Sequence, residues 1–144
     1  MSRFIEDPQP LHADYPLPDL ADPIMRPFWD GARQGRLMLQ RDRRTGLTHW
    51  PPKPLYWAGG ELEWFEASGC GRVFTYVVAH EPFLPAFKHL LPLALVVVET
   101  EEGARLVGYM VNVEPAAVRF GMPVRVVFKR LTAEITLPVW EPAP

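Results

Sequence analysis

S-G-C-G-R-V-F-T-Y-V-V-A-H, residues 68–80, is the stretch that decides the fold of this 144-residue chain. Gly69 and Gly71 flank Cys70, a pattern for a sharp bend or bulge, because only glycine enters positive φ without a Cβ penalty. Val73, Thr75, Val77 and Ala79 then alternate with Phe74, Tyr76 and Val78, the two-residue period of a strand rich in β-branched and aromatic side chains. Both faces are largely apolar, which predicts a strand covered on both sides. Four more strand-like runs follow, at Leu93–Glu99, Arg105–Asn112, Val124–Lys129 and Thr132–Pro138. Five short antiparallel strands predict a small closed barrel. Everything before Ser68 reads as an attachment to it.

Between these runs the punctuation is clear. Glu81 to Pro92 holds Pro82, Pro85 and Pro92 among Phe83, Phe87, Lys88 and His89, a density of proline that predicts a structured loop. Glu101-Glu102-Gly103 reads as a hairpin turn, Glu114–Val118 as one helical turn, and Pro138–Pro144 as an extended tail carrying Trp140. Upstream, Pro8, Pro10, Pro16 and Pro18 make residues 1–21 an extended arm, since proline fixes φ and removes donors. Such an arm is either disordered or laid along a partner or its own barrel through Leu11, Tyr15 and Leu17. Asp22-Pro23 and Arg26-Pro27 are helix-start signals. Pro27 to Gln34 is a short helix stopped by Gly35, with Phe28 and Ala32 on one face and Trp29 and Arg33 on the next. After the strand-like Leu37–Leu39, residues 40–60 form two knuckles, Arg41–Gly46 and Leu55–Gly60, separated by a proline-rich crossing. Each knuckle ends in glycine, as a tight turn requires. The organisation expected is therefore an arm (1–21), a helix with the knuckled segment (22–60), and a barrel domain (61–144).

Composition limits the function classes. Hydrophobic residues make up 48% of the chain, which describes a folded protein. A formal charge of -2 gives no overall pull toward nucleic acid or an anionic membrane. The charge is unevenly spread: Arg26, Arg33, Arg36, Arg41, Arg43, Arg44 and Lys53 face only Asp30 and Asp42 in their segment. The single cysteine excludes an intrachain disulfide and a cysteine-rich zinc site. No apolar leader region stands at the start, and the run Leu90–Val98 is far short of the roughly 20 residues that span a bilayer. The expected location is the cytoplasm, without membrane association.

The order of these pieces resembles a known family. A helix P-F-W-D-G-A-R-Q-G-R-L precedes Q-R and two knuckles with P-P-x-P between them. After those come L-E-W, a glycine-flanked turn, V-F-T-Y and a late G-M-P-V-R-V-V-F. Over residues 22–140 this is similar to the bacterial and archaeal zinc-ribbon/OB-fold proteins of the "domain of unknown function" class that accompany thiolases and MaoC-like hydratases. The resemblance implies a mainly β protein: a five-stranded OB-fold barrel preceded by a short helix and a rubredoxin-like ribbon. It also implies a non-catalytic accessory subunit that binds acyl-CoA or scaffolds a thiolase-like or MaoC-like enzyme in lipid, steroid or polyketide metabolism. The family's knuckles carry C-x-x-C-G, and here the four ligand positions hold Asp42, Thr45, Tyr56 and Gly59. Four S or N ligands close a structural zinc site, and Asp42 with His49 supplies two at most, so no zinc is expected. Leu47, Trp50, Leu55, Tyr56 and Trp57 are expected to be buried in its place, with an Asx-turn at Asp42.

Candidate ligand residues follow from charge and from the same resemblance. Arg41, Arg43, Arg44 and Lys53, with Trp57 for stacking, are the expected contacts for the phosphates and adenine of CoA. His80, Lys88 and His89, which flank or lie in the proline-rich loop, would border the acyl or pantetheine channel. A few exposed ion pairs at ~0.2–1 kcal/mol each and one stack at about 1–3 kcal/mol amount to millimolar affinity for CoA alone. No tightly bound cofactor is expected. Cys70 and His80 lie at opposite ends of a strand of roughly 30 Å and cannot act as a nucleophile and base. No Ser/His/Asp pattern, P-loop or G-x-G-x-x-G appears, so chemistry is left to a partner. The alternative is a single-stranded nucleic-acid-binding OB fold. Its middle strands would offer only Tyr109 and Arg105, a poor stacking platform.

Overall fold

The computed structural model describes residues 3–144. In chain order it contains β1 (Phe4–Glu6), α1 (Arg26–Arg33), β2 (Met38–Asp42), β3 (Thr48–His49), β4 (Leu62–Glu66), β5 (Cys70–Ala79), β6 (Leu93–Thr100), β7 (Arg105–Tyr109), β8 (Pro123–Arg130) and β9 (Thr136–Pro142). Short 3-10 turns sit at Trp57–Gly59, Pro85–Leu90 and Pro115–Ala117. The last two fall where the proline-rich loop and the helical turn were expected.

β5 to β9 form the barrel. β5 is antiparallel to both β6 and β8, β6 pairs with β7, and β8 pairs with β9. A parallel bridge between Met110 and Trp140 joins β7 to β9 and closes the circuit, with the Val111 N–H donating to the Trp140 carbonyl at 2.8 Å. This is the OB arrangement. Gly69 has a φ of 81°, the positive value its place before β5 requires. At Gly71 an added Cβ would meet the Glu99 carbonyl oxygen at 2.5 Å, so this glycine serves the close approach of two strands.

Two expectations need correction. β5 is not covered on both sides: the ladder slips between Val73 and Thr75, leaving Phe74 as the extra residue. Phe74 and Val77 face solvent, because a bulge re-aims one residue out of the alternation. The fifth strand runs Thr136–Pro142, well beyond the expected Thr132–Pro138, and Trp140 is a core residue with 1% exposure. The arm takes one of its expected courses and lies along its own barrel, with β1 parallel to β8 in the register Phe4↔Phe128.

The knuckled segment is a second, three-stranded sheet in the order β3-β2-β4. It reaches Glu66, since all five residues of β4 pair with β2. Both glycine-ended turns form, with φ of 76° at Gly46 and at Gly59. This sheet is no mere attachment. Phe28, Ala32, Leu37 and Leu39 are buried in one cluster with Val73, Val96, Val98, Phe128 and Trp140. Helix α1, closed by Gly35 at a φ of 73°, packs on β9 and brings the two sheets over a shared core.

Candidate functional site

The knuckles are fastened by polar groups. At the first, the Asp42 N–H donates to the Leu47 carbonyl at 2.9 Å and the Gly46 N–H to the Asp42 carbonyl at 2.7 Å. The Arg44 N–H donates to Asp42 Oδ1 at 2.8 Å, which is the expected Asx-turn, and the Leu47 N–H donates to Thr45 Oγ1 at 3.2 Å. At the second, the Leu62 N–H donates to the Leu55 carbonyl and the Gly60 N–H to the Tyr56 carbonyl, both at 3.3 Å. Gln40, fully buried, clamps the proline-rich crossing: its Nε2 donates to the Lys53 carbonyl at 2.7 Å and its Oε1 accepts from the Lys53 N–H at 2.8 Å.

The expected aromatic core of the ribbon is absent. Tyr56 is 80% exposed and Trp57 50%, and Leu47 and Leu55 also face solvent. Only Trp50 turns inward, its ring 4.8 Å from that of Phe28. The reason lies in the backbone: turns this tight satisfy their own donors and acceptors, and their side chains point away from the sheet.

Most of the basic cluster is internally paired. Arg41 and Arg43 both reach Glu63, and Arg41 also lies over the Phe65 ring at 4.4 Å. Arg44 pairs with Asp42 at 3.1 Å, Arg36 with Glu66 and Arg33 with Asp30. The Arg44 hydrogen bonds hold the Asp42 carboxyl below its usual range. Lys53 differs, with its Nζ 4.5 Å from the ring centroid of Trp57, a cation–π geometry. Of the ribbon residues expected to meet a ligand, Lys53 and Trp57 are thus the best placed. The nucleic-acid platform fares worse, since Tyr109 is buried and Arg105 is engaged by Glu99 and the Phe74 ring.

His80, Lys88 and His89 belong to the barrel side. His80 follows β5 in solvent and Lys88 is exposed on the 3-10 turn. His89 Nε2 meets Asp7 Oδ2 at 2.9 Å, and buried Lys129 donates to the same oxygen at 2.9 Å. Lys129 Nζ also donates to the Tyr109 hydroxyl at 3.0 Å. This network pins the arm, and the arm delivers Tyr15, whose ring packs edge-on against Phe87 at 5.2 Å. Together they enclose a cavity of about 370 Å³. Its lining is apolar and includes Tyr15, Phe83, Phe87, Leu93, Leu95 and Tyr109. A larger cleft of about 510 Å³ between ribbon and barrel is lined by Glu66, Ser68, Cys70 and Arg125, with none of the expected ligand residues. Asp7 and Lys129 were missed by sequence reading, and Tyr109 was read only as a stacking residue. The one hint of the apolar lining was the alternation of Leu93 and Leu95 with the barrel-facing residues of β6.

Burial works to raise the Asp7 carboxyl, but the Gln9 N–H, His89 and Lys129 outweigh it and lower its pKa to about 2. A depressed acid stabilises the fold above its unfolded value and releases that stability as pH falls through the folded one. Asp7 is therefore expected to contribute about 1–2 kcal/mol that is lost between about pH 4 and pH 2. Acid titration of the melting temperature checks this: the Asp7→Asn variant should show a shallower fall over that window than the parent. Buried Glu141 adds to the same acid sensitivity. Its desolvation is outweighed by Asn112, Arg125 and Arg3, which hold its carboxyl below the usual range.

The former ligand positions do not fit zinc. The Asp42 carboxylate is occupied by Arg44, Thr45 bonds its own turn, Tyr56 points to solvent and Gly59 has no side chain. Among the described residues no group of three or more His, Cys, Asp or Glu side chains comes together as a metal site. No helix of the described residues is long and apolar enough to cross a membrane.

A polar-fastened ribbon sharing its core with an OB barrel defines a two-sheet, mainly β protein with one short helix. The comparisons place it further. The family described as "ChsH2, C-terminal OB-fold domain" matches residues 64–129, and "ChsH2, rubredoxin-like zinc ribbon domain" matches residues 29–55. A solved chain described as "Ltp2-ChsH2(DUF35) aldolase" superimposes with a TM-score of 0.75 at 35% identity, covering 85% of this chain and 97% of that one. This chain belongs to the ChsH2/DUF35 family. Among curated relatives, the "Probable enoyl-CoA hydratase alpha subunit" of Thermomonospora curvata is 40% identical over 119 residues, 81% of this chain and 37% of that protein. The "3-oxo-4,17-pregnadiene-20-carboxyl-CoA hydratase alpha subunit" of Mycobacterium tuberculosis is 35% identical over 146 aligned positions, 93% of this chain and 46% of that one. The "DUF35 domain-containing scaffold protein" of Methanocaldococcus jannaschii is 40% identical over 95 residues, covering 63% and 66%. The chain spans less than half the length of the two hydratase subunits.

Proposed function

We propose that this chain is a non-catalytic accessory subunit that holds acyl-CoA or docks an acyl-CoA enzyme, a thiolase-like or MaoC-like hydratase protein, in lipid or steroid metabolism. The observation that carries the reading is the likeness over 97% of a chain described as part of an Ltp2–ChsH2 aldolase. The hydratase-subunit names of its relatives support it. The ribbon turns, which expose Leu47, Leu55, Tyr56 and Trp57, support it as well, since exposed large apolar side chains suit an interaction surface. In this reading Lys53 and Trp57 meet the nucleotide end of CoA, with Arg41, Arg43 and Arg44 as a rim whose charges are already shared with Glu63 and Asp42. Lys88 and His80 stand at the loop that borders the acyl end, while His89 secures the arm. The ribbon works without zinc.

Co-expression with a thiolase-like or MaoC-like protein from the same genome tests the assignment. One complex of fixed stoichiometry is expected in size-exclusion chromatography. Separate elution of the two chains at micromolar concentration contradicts it.

A further inference from the structure

We propose that the free edge of β7 takes an extended strand from another protein, which joins the barrel through backbone hydrogen bonds. This stands independently of the acyl-CoA reading. The ladder shows which groups are open. The Met110 N–H donates to the Ala94 carbonyl at 3.0 Å and the Thr100 N–H to the Ala104 carbonyl at 2.8 Å. Ala104, Leu106, Gly108 and Met110 therefore turn their backbone toward β6, and in an antiparallel ladder the residues between them turn theirs away. The N–H and C=O groups of Arg105 and Val107 thus face outward. β7 is the last strand of its sheet, joined to β9 at the Met110–Trp140 bridge beyond its end. Two other barrel edges are shielded. β1 lies along β8. On β9 the Trp140 carbonyl faces β7, so Pro138 and Pro142, two residues to either side, hold the outward positions and offer no N–H there. β7 contains no proline, and its Val107 is 78% exposed. Its one charged residue, Arg105, is drawn back onto Glu99 and the Phe74 ring.

The backbone of this edge selects a peptide. Val107 and Gly108 also line the apolar cavity beside it. A hydrocarbon there would bury apolar surface and leave the strand's donors and acceptors unused. An extended peptide uses both, pairing with Arg105 and Val107 while every second side chain lies over the cavity. The register adds a charge requirement. Arg72, Glu99 and Arg105 form one exposed cross-strand row, two cations to one anion, at the hairpin end of the edge. An acidic side chain on the incoming strand is favoured at that end. The occupant is a segment with alternate β-branched residues and a carboxylate beside Arg105.

The test is fluorescence polarisation of a labelled peptide, Asp-Val-Thr-Val-Thr-Val-Asp, with the full chain. Two further peptides of the same sequence carry N-methyl groups, one on the valine nitrogens and one on the threonine nitrogens, and so block opposite edges of the strand. Saturable binding of the first peptide is expected. One methylated peptide should bind at least about tenfold more weakly, and the other about as well as the first. Val107→Pro removes an outward N–H without touching the ladder to β6 and should weaken the first peptide at least about tenfold, with urea denaturation checking that the variant folds. Arg105→Glu should reverse the charge preference, so that lysine in place of aspartate binds better. Where Val107→Pro does not fold, the methylated pair and Arg105→Glu decide. Equal binding of the two methylated peptides overturns the proposal, as does no saturable binding up to about 1 mM peptide. So does a parent chain that is dimeric in solution and monomeric as Val107→Pro, since the edge then belongs to a second copy.

Discussion

Trp140→Ala is expected to destabilise the protein by about 3–5 kcal/mol, a large part of the 5–15 kcal/mol that holds a typical domain folded. Trp140 is the largest fully buried side chain, and its indole fills the space over Gly108, where an added Cβ would meet Trp140 Cδ1 at 3.0 Å. Its backbone makes the bridge to Met110 that closes the barrel, and α1 packs against the same strand. Truncation therefore opens a cavity between helix, β7 and β9 in a core too closely packed to refill it. Urea denaturation measures the effect, and Trp140→Phe should recover about half of it. A loss under 1 kcal/mol for the alanine variant would mean that the barrel closes by other contacts.

Gln40→Leu is expected to release the ribbon while sparing the barrel. Gln40 is buried and its amide satisfies both backbone groups of Lys53. An apolar replacement of similar volume leaves a backbone donor and acceptor unmatched, at about 1–3 kcal/mol each. Because the crossing is partly exposed, water recovers some of this, and a total of about 2–4 kcal/mol is expected. The effect should be local: rapid amide exchange over residues 43–60, with β5 to β8 still protected. A global loss of protection would show that the two sheets unfold as one unit.

The barrel was legible because alternation and glycine placement are local signals. Residues 68–80, the hairpin at Gly103 and the helix before Gly35 all stand where the sequence puts them. β9 was misplaced because Pro138 and Pro142 read as breakers. They are tolerated in a strand that pairs along its whole length with β8 and meets β7 only at Trp140, since proline survives where one edge is open. The ribbon's turns were legible from Gly46 and Gly59, but not its cohesion. Hydrophobicity records what a side chain gains by burial, not which way a tight turn aims it, so Tyr56 and Trp57 were misassigned to a core. Gln40 carries no local mark of its role, whereas the Asx-turn at Asp42 was legible. The anchor at Asp7 joins residues 82 apart with His89 and further still with Lys129, a distance over which no periodicity speaks.

Amide exchange in protein stripped with a chelator tests most directly whether backbone and polar contacts hold the ribbon in place of metal. Metal analysis of the same sample should find less than one zinc per chain, and the amides of Arg44, Gly46 and Lys53 should remain protected after stripping, with no change when zinc is added back. Stoichiometric zinc in the purified protein, or amides that exchange freely until zinc restores them, would contradict the account.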